Sequence, residues 1–183
     1  MESFIRSVLK QFEYYKILGD KTFEQLSFDE MQWQSDSESN SISIIVKHLA
    51  GNMLSRWTNF LIEDGEKDWR NRDIEFLNNF NSKEEIIATW ESGWHCFFKA
   101  IKPLNQNDLE SIIYIRNEGH TILEAINRQL AHYPYHVGQI VFIGKLIKGK
   151  NWHSLSIPVG DSLKHNQEKF SKEKIKRHFT NDL

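Results

Sequence analysis

Four stretches of the chain repeat their apolar residues at intervals of three and four, and the three prolines, Pro103, Pro134 and Pro158, all lie beyond residue 100. That period turns one face of an α-helix toward a core and does not fit the strict alternation of a half-buried strand. The first stretch runs through Phe4, Val8, Leu9, Phe12, Tyr15 and Ile17 and breaks near Leu26-Ser27-Phe28. The second opens after Ser41, an N-cap residue, and carries Ile42, Ile45, Leu49, Met53, Trp57, Phe60 and Leu61 until Asp64-Gly65. Ser82-Lys83-Glu84-Glu85 has the form of a capping box and starts the third, Ile86 to Ile101, which Pro103 ends. Thr121-Ile122-Leu123-Glu124 is a second such box and starts the fourth, Ile126 to Ile147, with Gly149 placed to terminate it.

The expected fold is therefore all-α, a four-helix bundle. Glu63 to Asn79 is too long for a tight turn between antiparallel neighbours and reads as an ordered crossover between helices two and three. Ser111 to Arg116, with three isoleucines and a tyrosine, reads as a short extended segment lying against the helices. Residues 1–162 then make one bundle domain, and 163–183 a basic C-terminal tail in which Lys164 to Arg177 is lysine-rich.

Composition narrows the class. With 183 residues, 39% apolar content and a formal charge of −2, the chain has the make-up of an ordinary globular domain. The single cysteine, Cys96, rules out an intrachain disulfide and reads as a buried thiol. The start, Met1-Glu2-Ser3-Phe4-Ile5-Arg6, is neither a basic nor an apolar leader, and no apolar run approaches the ~20 residues a bilayer requires. A cytoplasmic location without a membrane span is expected. Nucleic acid is not an expected partner, because the chain is slightly acidic and its lysines gather in the tail.

The chemistry-bearing residues lie on the second and fourth helices. His132 and His136 are four apart, so on a helix their imidazoles stand about one turn, ~6 Å, from each other on nearly one face. His48 shares a face of the second helix with Ile45 and Asn52. If the two helices pack side by side, three imidazoles converge on one divalent metal and leave a coordination position open, the pattern of a catalytic rather than a structural site. Zinc or nickel is the expected ion, although copper and iron accept the same donors. Asn52, Arg128 and Gln139, each a turn or less from a ligand, are candidates for supporting or substrate contacts. His95, His120, His153, His165 and His178 are not expected to be ligands. A zincin protease needs a glutamate after the first histidine of the pair, and here that residue is Tyr133, which disfavours peptide hydrolysis.

These features together resemble the DinB/YfiT-like metalloenzyme superfamily. Gly51-Asn52-Met53-Leu54-Ser55-Arg56-Trp57, Asp64-Gly65-Glu66-Lys67-Asp68-Trp69-Arg70-Asn71-Arg72-Asp73, Glu118-Gly119-His120-Thr121 and Leu155-Ser156-Ile157-Pro158 resemble, within it, a bacterial family described as a domain of unknown function. The resemblance spans the first helix to about Ser162 and implies the same ligand set, His48, His132 and His136. Pro134 departs from the pattern, since relatives commonly carry a small helix former there. It should kink the fourth helix beside the metal by removing an N–H and freeing the Leu130 carbonyl.

Relatives in the superfamily include bacillithiol S-transferases and a mycothiol-dependent isomerase. The resemblance therefore implies a metal-dependent transfer of a low-molecular-weight thiol to an electrophilic small molecule. The competing reading is a non-catalytic metal or small-molecule binding module. Six tryptophans and twelve phenylalanines exceed what the four stripes absorb, with Trp57, Trp69 and Trp152 the least certainly interior. Exposed aromatic surface of that kind points to a homodimer.

Overall fold

The apolar periods become helices in a computed structural model that describes residues 2–182. In chain order the elements are α1 (Glu2–Glu24), α2 (Phe28–Gln32), α3 (Ile42–Trp57), α4 (Arg72–Glu75), α5 (Lys83–Ile101), strands β1 (Ile112–Ile115) and β2 (Glu118–Thr121), α6 (Ile122–Lys148) and α7 (Ser162–Phe170). The fold is mostly helical. None of these helices is long and apolar enough to cross a membrane.

Capping sets the helix starts. Ser41 Oγ accepts the Ile44 N–H at 3.1 Å, and Thr121 and Glu124 close a full reciprocal box at 2.8 and 3.1 Å. The expected box at Ser82 is only half formed. Ser82 Oγ accepts the Glu85 N–H at 3.2 Å, but the Glu85 carboxylate reaches past it to the Asn81 N–H at 2.8 Å. A third box, Ser27 with Glu30, starts the short α2, which the apolar period does not announce.

Helix α3 stops at Trp57, earlier than the apolar pattern suggests, and Asn59 follows in the left-handed region at φ 51°. Phe60 is still buried, whereas Ile62 is 85% exposed, so the period outlasts the helix by a single core residue.

The four long helices share one core. Helix α3 packs on α5 and α6, and α1 packs on α6 and α5. The interior is aromatic: Phe12, Trp94, Phe97 and Tyr133 are fully buried, with Phe12 edge-on to Phe97 at 4.5 Å between centroids. Burying each such side chain contributes roughly 1.5–3 kcal/mol, so the core does not depend on an ion. Helices α3 and α5 approach closely because Gly93 has no side chain; a Cβ there would stand 2.8 Å from Ala50 Cα.

The long connection between α3 and α5 is ordered by polar contacts to the β-hairpin. Asp64 Oδ1 and Oδ2 accept the backbone N–H groups of Arg116 and Asn117 at 2.8 and 2.9 Å, and the Gly65 N–H reaches Tyr114 O at 2.8 Å. Strands β1 and β2 pair antiparallel, with Ile115 opposite Glu118. The turn residues Arg116 and Asn117 have φ of 59° and 61°, the left-handed pair that a two-residue hairpin loop requires.

The three tryptophans least certainly interior by sequence fall in different settings. Trp57 is interior, 3% exposed, and its indole N–H donates to Tyr133 Oη at 3.0 Å; Trp152 is half-buried. Only Trp69 of the three stands largely in solvent. Beyond α7 the chain returns to α1, where the Phe179 ring meets Tyr14 at 5.8 Å and His178 Nε2 lies 3.1 Å from Ser7 Oγ.

Candidate metal centre

His48 sits in the middle of α3, and His132 and His136 occupy successive turns of α6. Because α3 and α6 are packed together, the three rings meet, with centroids 5.5 Å apart for His48 and His132, 5.0 Å for His48 and His136 and 4.8 Å for His132 and His136. Pro134 lies between the two α6 histidines without ending the helix, which continues to Lys148.

Each Nδ1 atom meets a side-chain oxygen. His48 Nδ1 is 3.0 Å from Glu75 Oε2, His132 Nδ1 is 3.2 Å from Gln129 Oε1, and His136 Nδ1 is 2.8 Å from Gln139 Oε1. An amide or ionised carboxylate oxygen can only accept, so Nδ1 carries the proton in each ring and the lone pair stands on Nε2. The Nε2 atoms of His48 and His132 face each other at 3.4 Å. Two bare lone pairs at that distance repel unless a cation lies between them.

The spacing suits an ion. Nitrogens bound tetrahedrally at ~2.0–2.1 Å stand roughly 3.3–3.4 Å from one another. One donor atom from each of the three histidines falls within 4.8 Å of the others, so the cluster could hold a single metal ion. Three neutral donors would leave further coordination positions for solvent or substrate, and imidazole suits zinc, nickel, copper or iron alike.

Burial disfavours the charged form of the two α6 rings. Burial pushes His132 down to about 4, aided by the neighbouring His136 and His48, and burial likewise lowers His136 despite the opposing pull of the Gln139 oxygen. Burial alone would raise Glu75. Its hydrogen bonds to His48 and Arg70 outweigh that and hold the carboxylate below its usual range. Arg70 binds Glu75 through two of its nitrogens, Nε to Oε1 at 2.7 Å and Nη2 to Oε2 at 3.0 Å, and the side chain of each is nearly inaccessible.

The connection from α3 to α5 supplies these groups. Short α4, started by Asn71 Oδ1 accepting the Asp73 and Ile74 N–H groups, ends on Glu75 and presents it across α3 to His48. Arg70 Nη1 also donates to Ser55 Oγ at 3.1 Å, seven residues along α3 from His48. Ser55 Oγ in turn donates to Gly65 O at 3.0 Å, and Arg56 bonds the same carbonyl and Glu66. A continuous polar chain therefore runs from the imidazole of His48 to the segment clamped on the hairpin.

Of the supporting residues suggested by sequence, Gln139 is in contact with a histidine. Asn52 is turned into the core, where its Oδ1 accepts the Tyr133 O–H at 3.1 Å. Arg128 is exposed one turn before His132, and its charge acts on that ring. Glu75, Arg70 and Gln129 were not anticipated. Gln129 had a readable signal, since it stands three residues before His132 just as Gln139 stands three after His136. Tyr133 points away from the cluster into the core.

The other histidines lie elsewhere. His95 is exposed, His120 pairs with Ile113 across the hairpin, and His153, His165 and His178 belong to the C-terminal region. The Cys96 thiol is half-buried, 3.5 Å from Thr58 Oγ1.

The sequence model of a family described as "Protein of unknown function (DUF1572)" matches residues 1–161, and the chain belongs to that family. No curated protein and no solved structure matches the chain.

Proposed function

We propose that this family member is a metal-dependent enzyme of the DinB/YfiT-like kind, its four long helices forming that superfamily's four-helix bundle, and that it transfers a low-molecular-weight thiol to an electrophilic small molecule. The observation that carries the reading is the set of three Nδ1–oxygen contacts, which leaves Nε2 of each ring as the free lone pair in a cluster whose donor atoms lie within 4.8 Å of one another. His48, His132 and His136 would hold the ion. When bound, it would supply Lewis acidity that lowers the pKa of a thiol at an open position.

The protein's own groups do the rest. Glu75, Gln129 and Gln139 fix the rings in the tautomer with Nε2 free, and Arg70 keeps Glu75 ionised in a buried setting. Because the donors are neutral, a bound cation would keep its full charge toward the incoming thiol. No carboxylate follows His132 to act as the base of a peptidase; Tyr133, which stands there, is packed between Phe12, Trp94 and Phe97. A thiol whose pKa the ion lowered would release its proton to solvent and would need no such base.

We further infer a homodimer and a cytoplasmic setting, where such thiols occur, with residues 163–183 an appendage to the catalytic unit.

Elemental analysis of the purified protein and of a His48→Ala, His136→Ala double variant tests the metal, and a screen of biological thiols against a chromogenic electrophile tests the transfer. Stoichiometric metal lost in the variant, with thiol conjugation lost alongside, is the expected result. Metal bound without conjugation by any thiol would favour a non-catalytic binding module.

A further inference from the structure

The rim of the histidine cluster has a composition of its own. On the α3 side the Phe76 ring, carried just past α4, stacks on His48 at 5.8 Å and 28°. On the α6 side the Tyr135 ring meets His136 edge-on at 4.9 Å. Neither ring is buried: Phe76 is 48% and Tyr135 62% exposed, so both present free apolar surface beside the candidate coordination positions. Arg128, His132 and Tyr135 fall at i, i+4 and i+7, one stripe of α6, so the guanidinium lies along the same line as a ligand and an aromatic ring.

The acids nearest His48 and Arg128 are engaged elsewhere. Glu75, the carboxylate nearest the cluster, is buried and bound by Arg70 and His48. Glu124, one turn before Arg128, is engaged in the helix cap with Thr121. Among the described residues Arg128 has no acidic partner, and it is exposed. An unpartnered guanidinium beside a cationic centre attracts an anion, and its planar fork matches a carboxylate. Exposed rings against the histidines favour a flat apolar body.

Resting on the metal-dependent reading above, we propose that the site selects a ligand that joins an aromatic body to a carboxylate, the body lying against Phe76 and Tyr135 and the carboxylate paired with Arg128. Arg128 is thereby a specificity residue and not a metal ligand.

The cobalt-loaded full-length protein provides the test, because its visible spectrum reports changes at the ion. Three thiols separate the parts: 4-(mercaptomethyl)benzoate has ring and carboxylate, benzyl mercaptan the ring alone, and 3-mercaptopropionate the carboxylate alone. The first should bind at least tenfold more tightly than either of the others. Arg128→Gln should weaken it about tenfold and leave benzyl mercaptan unchanged, while a Phe76→Ala, Tyr135→Ala double variant should weaken both aromatic thiols and spare 3-mercaptopropionate.

Equal binding of the three thiols, or an Arg128→Gln loss shared by benzyl mercaptan, overturns the proposal. The thiol-free 4-methylbenzoate distinguishes the two levels. If no thiol perturbs the cobalt spectrum but 4-methylbenzoate binds with the Arg128 dependence, thiol transfer falls and the selectivity stands. A protein that retains no cobalt removes both.

Discussion

Glu75 fills the space that a side chain at position 51 would need: a Cβ on Gly51 would stand 3.0 Å from Glu75 Cδ and closer still to Oε1. The carboxylate cannot swing aside without giving up Arg70 or His48. Gly51→Ala is therefore expected to leave the helices folded and to lower metal affinity by about 10–100-fold, the usual cost of disturbing a ligand's outer partner. Titration against a competing chelator measures it; unchanged affinity would mean that Glu75 does not hold His48 in place.

His132→Ala should abolish stoichiometric metal without unfolding the chain. The core around Phe12, Trp94, Phe97 and Tyr133 is complete without an ion, unlike that of a zinc finger. Circular dichroism melting of the metal-free variant should show a cooperative transition, and a featureless melt would make the site a structural one.

Acid should destabilise the metal-free protein in a defined window. His132 ionises at about 4 when folded and near 6.5 when unfolded, so the unfolded chain takes up the proton first as pH falls. Stability is full above pH ~6.5 and declines between there and pH ~4. His136, lowered in the same direction, adds to the decline. Denaturant midpoints at pH 7, 5.5 and 4.5 should fall in that order, and His132→Ala should flatten the series.

Tyr133→Phe should cost about 1–3 kcal/mol, since it strands the Trp57 indole N–H and the Asn52 carbonyl in a buried setting. Metal content should be unchanged, because the hydroxyl contacts none of the three imidazoles. A loss of metal would show that the core polar contact and the site are coupled through α3.

How much of this could be read from sequence depends on the kind of interaction. The histidine trio was legible because a helical period fixes which residues share a face, and four is a chelating interval. Glu75 was not, because it arrives on a four-residue helix inside a segment with no apolar period, and its partner is decided by tertiary approach through Gly51. Strand β2 was hidden for a similar reason. Glu118-Gly119-His120-Thr121 has little strand propensity, and the pairing is imposed by the left-handed turn at Arg116 and Asn117 together with Asp64, 52 residues before Arg116. The end of α3 was overrun because Phe60 stays in the core after the helix has stopped.

The facing pair His48 and His132 are separated by 84 residues of chain. During synthesis at ~5–20 residues per second, roughly 4–17 s pass between the appearance of the first imidazole and the second. Throughout that interval the nascent chain carries only one of the three clustered imidazoles, so the three-donor set does not yet exist. An ion held by all three would require the finished molecule, so occupancy of the cluster would report that the last long helix has docked.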